Sequence, residues 1–142
     1  MFRFRLEKVL RHRDRIVDRE ARKLQGILSA AVQLDRENER LGRECDAAAQ
    51  REVEHGFELA RMKRLSDFTG GRRLQIRRNA ERARRIRAEA EQQRLILLAA
   101  QRDKKVLEQL RERQLADWQE QERREDRTRM DEVASIRYGT EP

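Results

Sequence analysis

Apolar residues recur along the first third of the chain at alternating steps of three and four. From Leu10 the series runs Arg13, Val17, Glu20, Leu24, Ile27, Ala31, Leu34, Asn38, Leu41, Cys45 and Ala48, and only Arg13, Glu20 and Asn38 are polar. A spacing that averages 3.5 residues keeps one stripe of a helix turned toward a partner helix, which is the coiled-coil signature. Leu24 and Ile27 are therefore expected in the core. The three polar members weaken such a seam but select its register. Opposite charges stand four apart beside the stripe, as in Glu7 and Arg11, Asp18 and Arg22, and Glu81 and Arg85. Each such pair supports a helix by a few tenths of a kcal/mol.

Glycine marks where a helix of this kind can reverse, because it adopts the left-handed conformation that ends helices. Gly56 and the pair Gly70-Gly71 compete for the turn. A turn at Gly56 sets Cys45 opposite Phe68, Ala48 opposite Leu65, Ile27 opposite Ile86 and Val17 opposite Ile96. It also sets Gly42 against Gly70-Gly71, which would let the helices approach closely. A turn at Gly70-Gly71 instead sets Leu24 against Asp117 and Val17 against Arg124. The apolar matches favour Gly56. The expected fold is all-α: one domain over 1–142, a long antiparallel two-helix coiled coil. Helix 1 covers about 3–54, the turn lies near 55–57, and the longer helix 2 covers about 57–137, with a kink at Gly70-Gly71 left open. Helix 2 then overshoots helix 1 from about Arg111.

Composition narrows this further. Charged residues make up 44% of the 142 positions and aromatics 4%, too few large side chains for a broad core. A narrow helical stripe remains affordable, since Arg, Glu, Ala, Leu and Gln all favour helix. The net charge of +8 attracts acidic partners of any kind. A single cysteine excludes an internal disulfide and fits a reducing compartment. The N-terminus MFRFRLEKVLRH is too charged for a secretory signal, and the longest apolar run, LILLAA from Leu95, is far short of the ~20 residues of a membrane span.

No pattern points to an enzyme. A glycine-rich phosphate loop and a nucleophile–base–acid spacing are both missing. His12 and His55 have no neighbouring ligand for a metal, and no cofactor is expected. The stretch RRLQIRRNAERARRIRAEAEQQR, Arg72 to Arg94, poses the one open question, with nine arginines against three glutamates. It resembles a basic-region zipper only loosely, since Glu81 and Arg82 stand where that family has small residues. No aromatics are interleaved for base stacking. A solvated helix flank or protein-binding surface is the reading preferred over nucleic acid.

Two stretches carry a resemblance. Phe2 to Gln25, FRFRLEKVLRHRDRIVDREARKLQ, resembles the N-terminus of the FliJ family, coiled-coil components of the bacterial flagellar protein export apparatus. Arg102 to Gly139 is similar to the family's C-terminal pattern, with a basic pair, a leucine-spaced helix and the motif Met130-Asp131-Glu132. ELARMKRLSDF, Glu58 to Phe68, looks like the start of its second helix. The resemblance implies a non-enzymatic, cytoplasmic stalk protein at the inner-membrane face, without a transmembrane segment, on which motility and chemotaxis depend. It would bind a ring of the export ATPase FliI, promote its assembly and activity, and link it to the export gate protein FlhA. Arg111, Arg113, Trp118, Arg123, Arg124, Arg127, Arg129, Met130, Asp131, Glu132 and Val133 would contact the ring. Phe57, Leu59, Met62, Leu65 and Phe68 would form the tip or gate contact. Two other readings stay open: the equivalent stalk of a virulence-type secretion system, and a basic coiled coil that binds nucleic acid or acts as a scaffold.

Overall fold

The computed structural model describes residues 1–56 and 58–139. Two helices account for nearly all of them: α1, Glu7–His55, and the longer α2, Leu59–Gly139. They form an antiparallel two-helix hairpin of the coiled-coil type. Helix α1 starts four residues later than the expected 3, because Met1 to Leu6 fold as a cap. The Glu7 amide donates to the Phe4 carbonyl at 3.1 Å, and the Phe4 ring is buried. The chain leaves α1 at Gly56, whose φ of +85° is a conformation that costs a β-carbon dearly. Phe57 lies outside the described residues, so the expected start of helix 2 at 57 is not resolved against the observed start of α2 at Leu59.

Gly70 and Gly71 lie inside α2, which continues through them. They do not serve the close helix approach expected at Gly42. A β-carbon added at Gly42, Gly70 or Gly71 would meet nothing within 4 Å.

Contacts divide the hairpin into two compact units, Arg19–Leu98 and a second made of Met1–Asp18 with Ala99–Pro142. In the first, the seam is built from small residues. Ala31 and Ala83 are each 1% exposed, and Ala90, Cys45, Leu41 and Thr69 are buried with them. Thr69, not the expected Phe68, is the residue buried along with Cys45, and Phe68 is 38% exposed. Leu24 and Ile27 are half-buried rather than core, so the apolar stripe is narrower than the sequence periodicity implied. Two polar seam members find partners across the helices. The Gln93 amide donates to the Glu20 carboxylate and to its carbonyl, the latter at 3.2 Å. Asn38 Nδ2 donates to the Ile76 carbonyl at 3.1 Å. Cross-helix ion pairs join Glu44 to Arg72 at 2.9 Å and Asp35 to Arg87.

In the second unit Leu10, Phe4 and Ala100 are buried. The third polar seam member, Arg13, reaches Asp103 at 3.4 Å, and Asp14 holds Lys104 at 2.7 Å. Glu7 meets Arg111 at 3.5 Å. Phe2 lies against Trp118, ring centroids 6.2 Å apart at a tilted angle of 47°, a geometry favourable for aromatic pairs.

Candidate partner-binding surfaces

The α2 extension begins later than the sequence suggested. Arg111 and Trp118 are engaged by Glu7 and Phe2, so the N-terminal cap covers α2 up to that point. Beyond Glu120 every described residue, Gln121 to Gly139, is exposed. A helix can persist there because it continues an existing one and needs no new nucleus. Its sequence suits exposure, with glutamate, arginine and glutamine throughout and no apolar stripe until Met130.

The predicted contact residues fall into two groups on this segment. Arg123 and Arg124 both bind Glu120, at 3.4 and 3.1 Å, and Arg129 lies 3.8 Å from Asp126 and 4.0 Å from Glu125. The hydrogen bond from Arg124, then the fields of Arg123, Arg124 and Arg127, hold the Glu120 carboxyl below its ordinary pKa. These are solvent-exposed pairs within one helix that add little to stability, and a partner's charges can replace them at little cost. Arg113, Asp131 and Glu132 are exposed as well. Met130 (73%), Val133 (51%) and Ile136 (67%) recur at steps of three and present apolar surface on one flank. The candidate set omitted Ile136 and Tyr138, which is 82% exposed. The spacing from Met130 was the signal that could have added Ile136, whereas Tyr138 had none beyond its type.

The turn end of the Arg19–Leu98 unit carries the second surface. Leu59 is 85% exposed, Met62 is exposed and Leu65 half-buried. Phe68 forms one wall of a groove of about 280 Å³ with Ala48, Arg51, Glu52, Arg64 and Leu65, and the Arg72 guanidinium sits 3.7 Å from its ring centroid. One Glu52 carboxylate oxygen is buried in this region without a hydrogen-bond partner among the described residues. Val53, near the same turn, is 71% exposed and is absent from the candidate set, because the 3.5-residue seam does not pass through it.

The arginine-rich stretch is divided by its partners. Arg72, Arg85, Arg87 and Arg94 are paired with Glu44, Glu81, Asp35 and Glu91. Among the described residues Arg73, Arg77, Arg78, Arg82 and Arg84 form no hydrogen bond or ion pair, and all five are exposed. Asn79 and Ala83 point the other way, into the seam.

No group of metal-ligating side chains and no helix long and apolar enough to cross a membrane occurs among the described residues. The described residues form a two-helix coiled-coil hairpin, with an exposed helical segment from Gln121 and an apolar edge beside Gly56. The family model described as the flagellar FliJ protein matches residues 1–142, and the chain belongs to that family. It is thereby a protein of flagellar export, in a family of non-enzymatic components. Searches of curated proteins and of solved structures gave no match.

Proposed function

We propose that this chain is the stalk of the flagellar export ATPase. The bare α2 segment from Gln121 to Gly139 enters the ring of a FliI-like ATPase and promotes its assembly and activity. The turn end meets a FlhA-like gate protein, at the cytoplasmic face of the inner membrane. The observation that carries this reading is the extension itself. It is a helix of about 28 Å with every described side chain exposed, charged on all sides and carrying a short apolar flank. A shaft inside a ring needs those properties: an exposed length of helix, replaceable ion pairs, and a few apolar contacts for grip. Arg123, Arg124, Arg127 and Arg129 supply the charge, and Met130, Val133 and Ile136 the contact area. Arg111 and Trp118, engaged by the N-terminal cap, support the root of the shaft.

Truncation after Gln121 tests this. It removes the shaft and leaves the pairing of Phe2 with Trp118 intact. Stimulation of the ATPase should be lost, while the rest of the chain stays helical by circular dichroism. Undiminished stimulation would reject the reading. Charge contacts of this type also steer association, so stimulation at limiting protein should weaken with salt.

A further inference from the structure

We infer that the α2 face around Leu74 is an adsorption surface for an anionic lipid bilayer. This rests on the part of the reading above that places the protein at the membrane face. From Arg72 to Arg87, eight arginines stand against one carboxylate, Glu81, and Glu81 is bonded to Arg85 at 2.7 Å. Arg73 and Arg77 are four residues apart, as are Arg78 and Arg82, and like charges at that spacing oppose the helix. Arg40, Arg61, Arg94, Arg124 and Arg129 show the alternative, each meeting a carboxylate three or four residues away on its own helix, which a single glutamate does not offer to most of the cluster's members. The unpaired five therefore have no partner inside the fold that would account for them.

Their surroundings select the occupant. Leu74 is 44% exposed and lies between Arg73 on one side and Arg77 and Arg78 one turn further along. The preceding turn carries Gly70 and Gly71, where an added β-carbon would meet open space, so no bulky side chain at those two positions screens the leucine. Guanidinium groups bind phosphate with two parallel hydrogen bonds, and arginine is the residue suited to that geometry. A bilayer presents phosphates over hydrocarbon, which fits a leucine encircled by arginines. A nucleic acid presents phosphates beside base edges. The groups that would read or stack on bases are occupied here: Gln75 donates to Asn79 at 2.9 Å, and Phe68 lies beneath Arg72.

The test uses the full chain in flotation with vesicles of phosphatidylcholine alone or mixed with phosphatidylglycerol. The wild type should float with the anionic vesicles only, and salt should release it. Each cation near an anionic surface contributes about fivefold to partitioning, so R73Q/R77Q/R78Q should lower binding by roughly a hundredfold with an unchanged melting curve. The charge-matched control R123Q/R124Q/R127Q should lower it much less. In a Trp118→Phe background, Leu74→Trp should shift its emission to the blue on anionic vesicles. Equal losses in the two triple variants, or no spectral shift, would overturn the proposal in favour of diffuse charge attraction. Competition by single-stranded RNA that displaces the vesicles, with RNA affinity lost in the Arg73 variant, would overturn it in favour of nucleic acid. ATPase stimulation in vesicle-free solution should not respond to R73Q/R77Q/R78Q, so failure here and failure of the stalk reading are separate results.

Discussion

At the scale of single residues, the seam of the Arg19–Leu98 unit is held by side chains that are too small to be exchanged for larger ones. Ala31 and Ala83, each 1% exposed, are almost fully enclosed in the seam, where a larger side chain has to displace its neighbours. Ala83→Leu should therefore destabilise the protein by about 1–3 kcal/mol in chemical denaturation, through overpacking, even though leucine is the more hydrophobic residue. A stabilised variant would show that the helices are free to move apart there. The same unit holds an exposed cost of specificity. Asn38 Oδ1 and Asn79 Nδ2 are buried without a hydrogen-bond partner, one an acceptor and the other a donor. A buried polar group left unmet costs about 1–3 kcal/mol, yet a polar residue in a coiled-coil seam can fix its register.

At the scale of elements, α2 carries a weakness that packing does not demand. Gly70 and Gly71 sit within it with open space where their side chains would be. Gly70→Ala and Gly71→Ala should each stabilise the helix by about 1 kcal/mol, read as a higher melting temperature. A loss of stability would reveal a bend or contact at that point. The helices themselves were legible because a 3.5-residue period survives even when its members are alanine, and because the apolar matches across a reversal at Gly56 are better than those across Gly70-Gly71. The helix start was not legible: nothing in FRFRLE marks the first turn, and only the burial of Phe4 makes Met1 to Leu6 a cap. The root of the extension was misplaced for the same reason. Arg111 and Trp118 read as solvent-facing until Glu7 and Phe2 fold back on them. Pairing of individual arginines was also beyond reach, since a helix face shows which carboxylates are within range but not which arginine takes them.

At the scale of the whole molecule, stability depends on carboxylates that stay ionised. Glu20 is held below its ordinary pKa of 4.5, chiefly by the Gln93 hydrogen bond, with Lys23 and Arg19 adding to the effect against the cost of burial. Glu44 is lowered first by the Arg72 hydrogen bond. A lowered pKa stabilises the fold above the unfolded value, and that contribution is lost as pH falls through the folded value. The melting temperature should thus be level around neutrality and fall below about pH 4.5. Glu20→Gln should flatten that fall, and an unaltered profile would exclude Glu20 as a source of it. One consequence of the bare extension concerns the lifetime of the chain. From Gln121 to Gly139 every described residue is exposed, so the segment can open locally without disturbing the seam. It is rich in arginine and is the part a protease reaches first. On the stalk reading proposed above, a partner that encloses the extension would shield it, so limited proteolysis of the free chain should cut within Gln121–Gly139 first and the abundance of the chain should follow that of its partner.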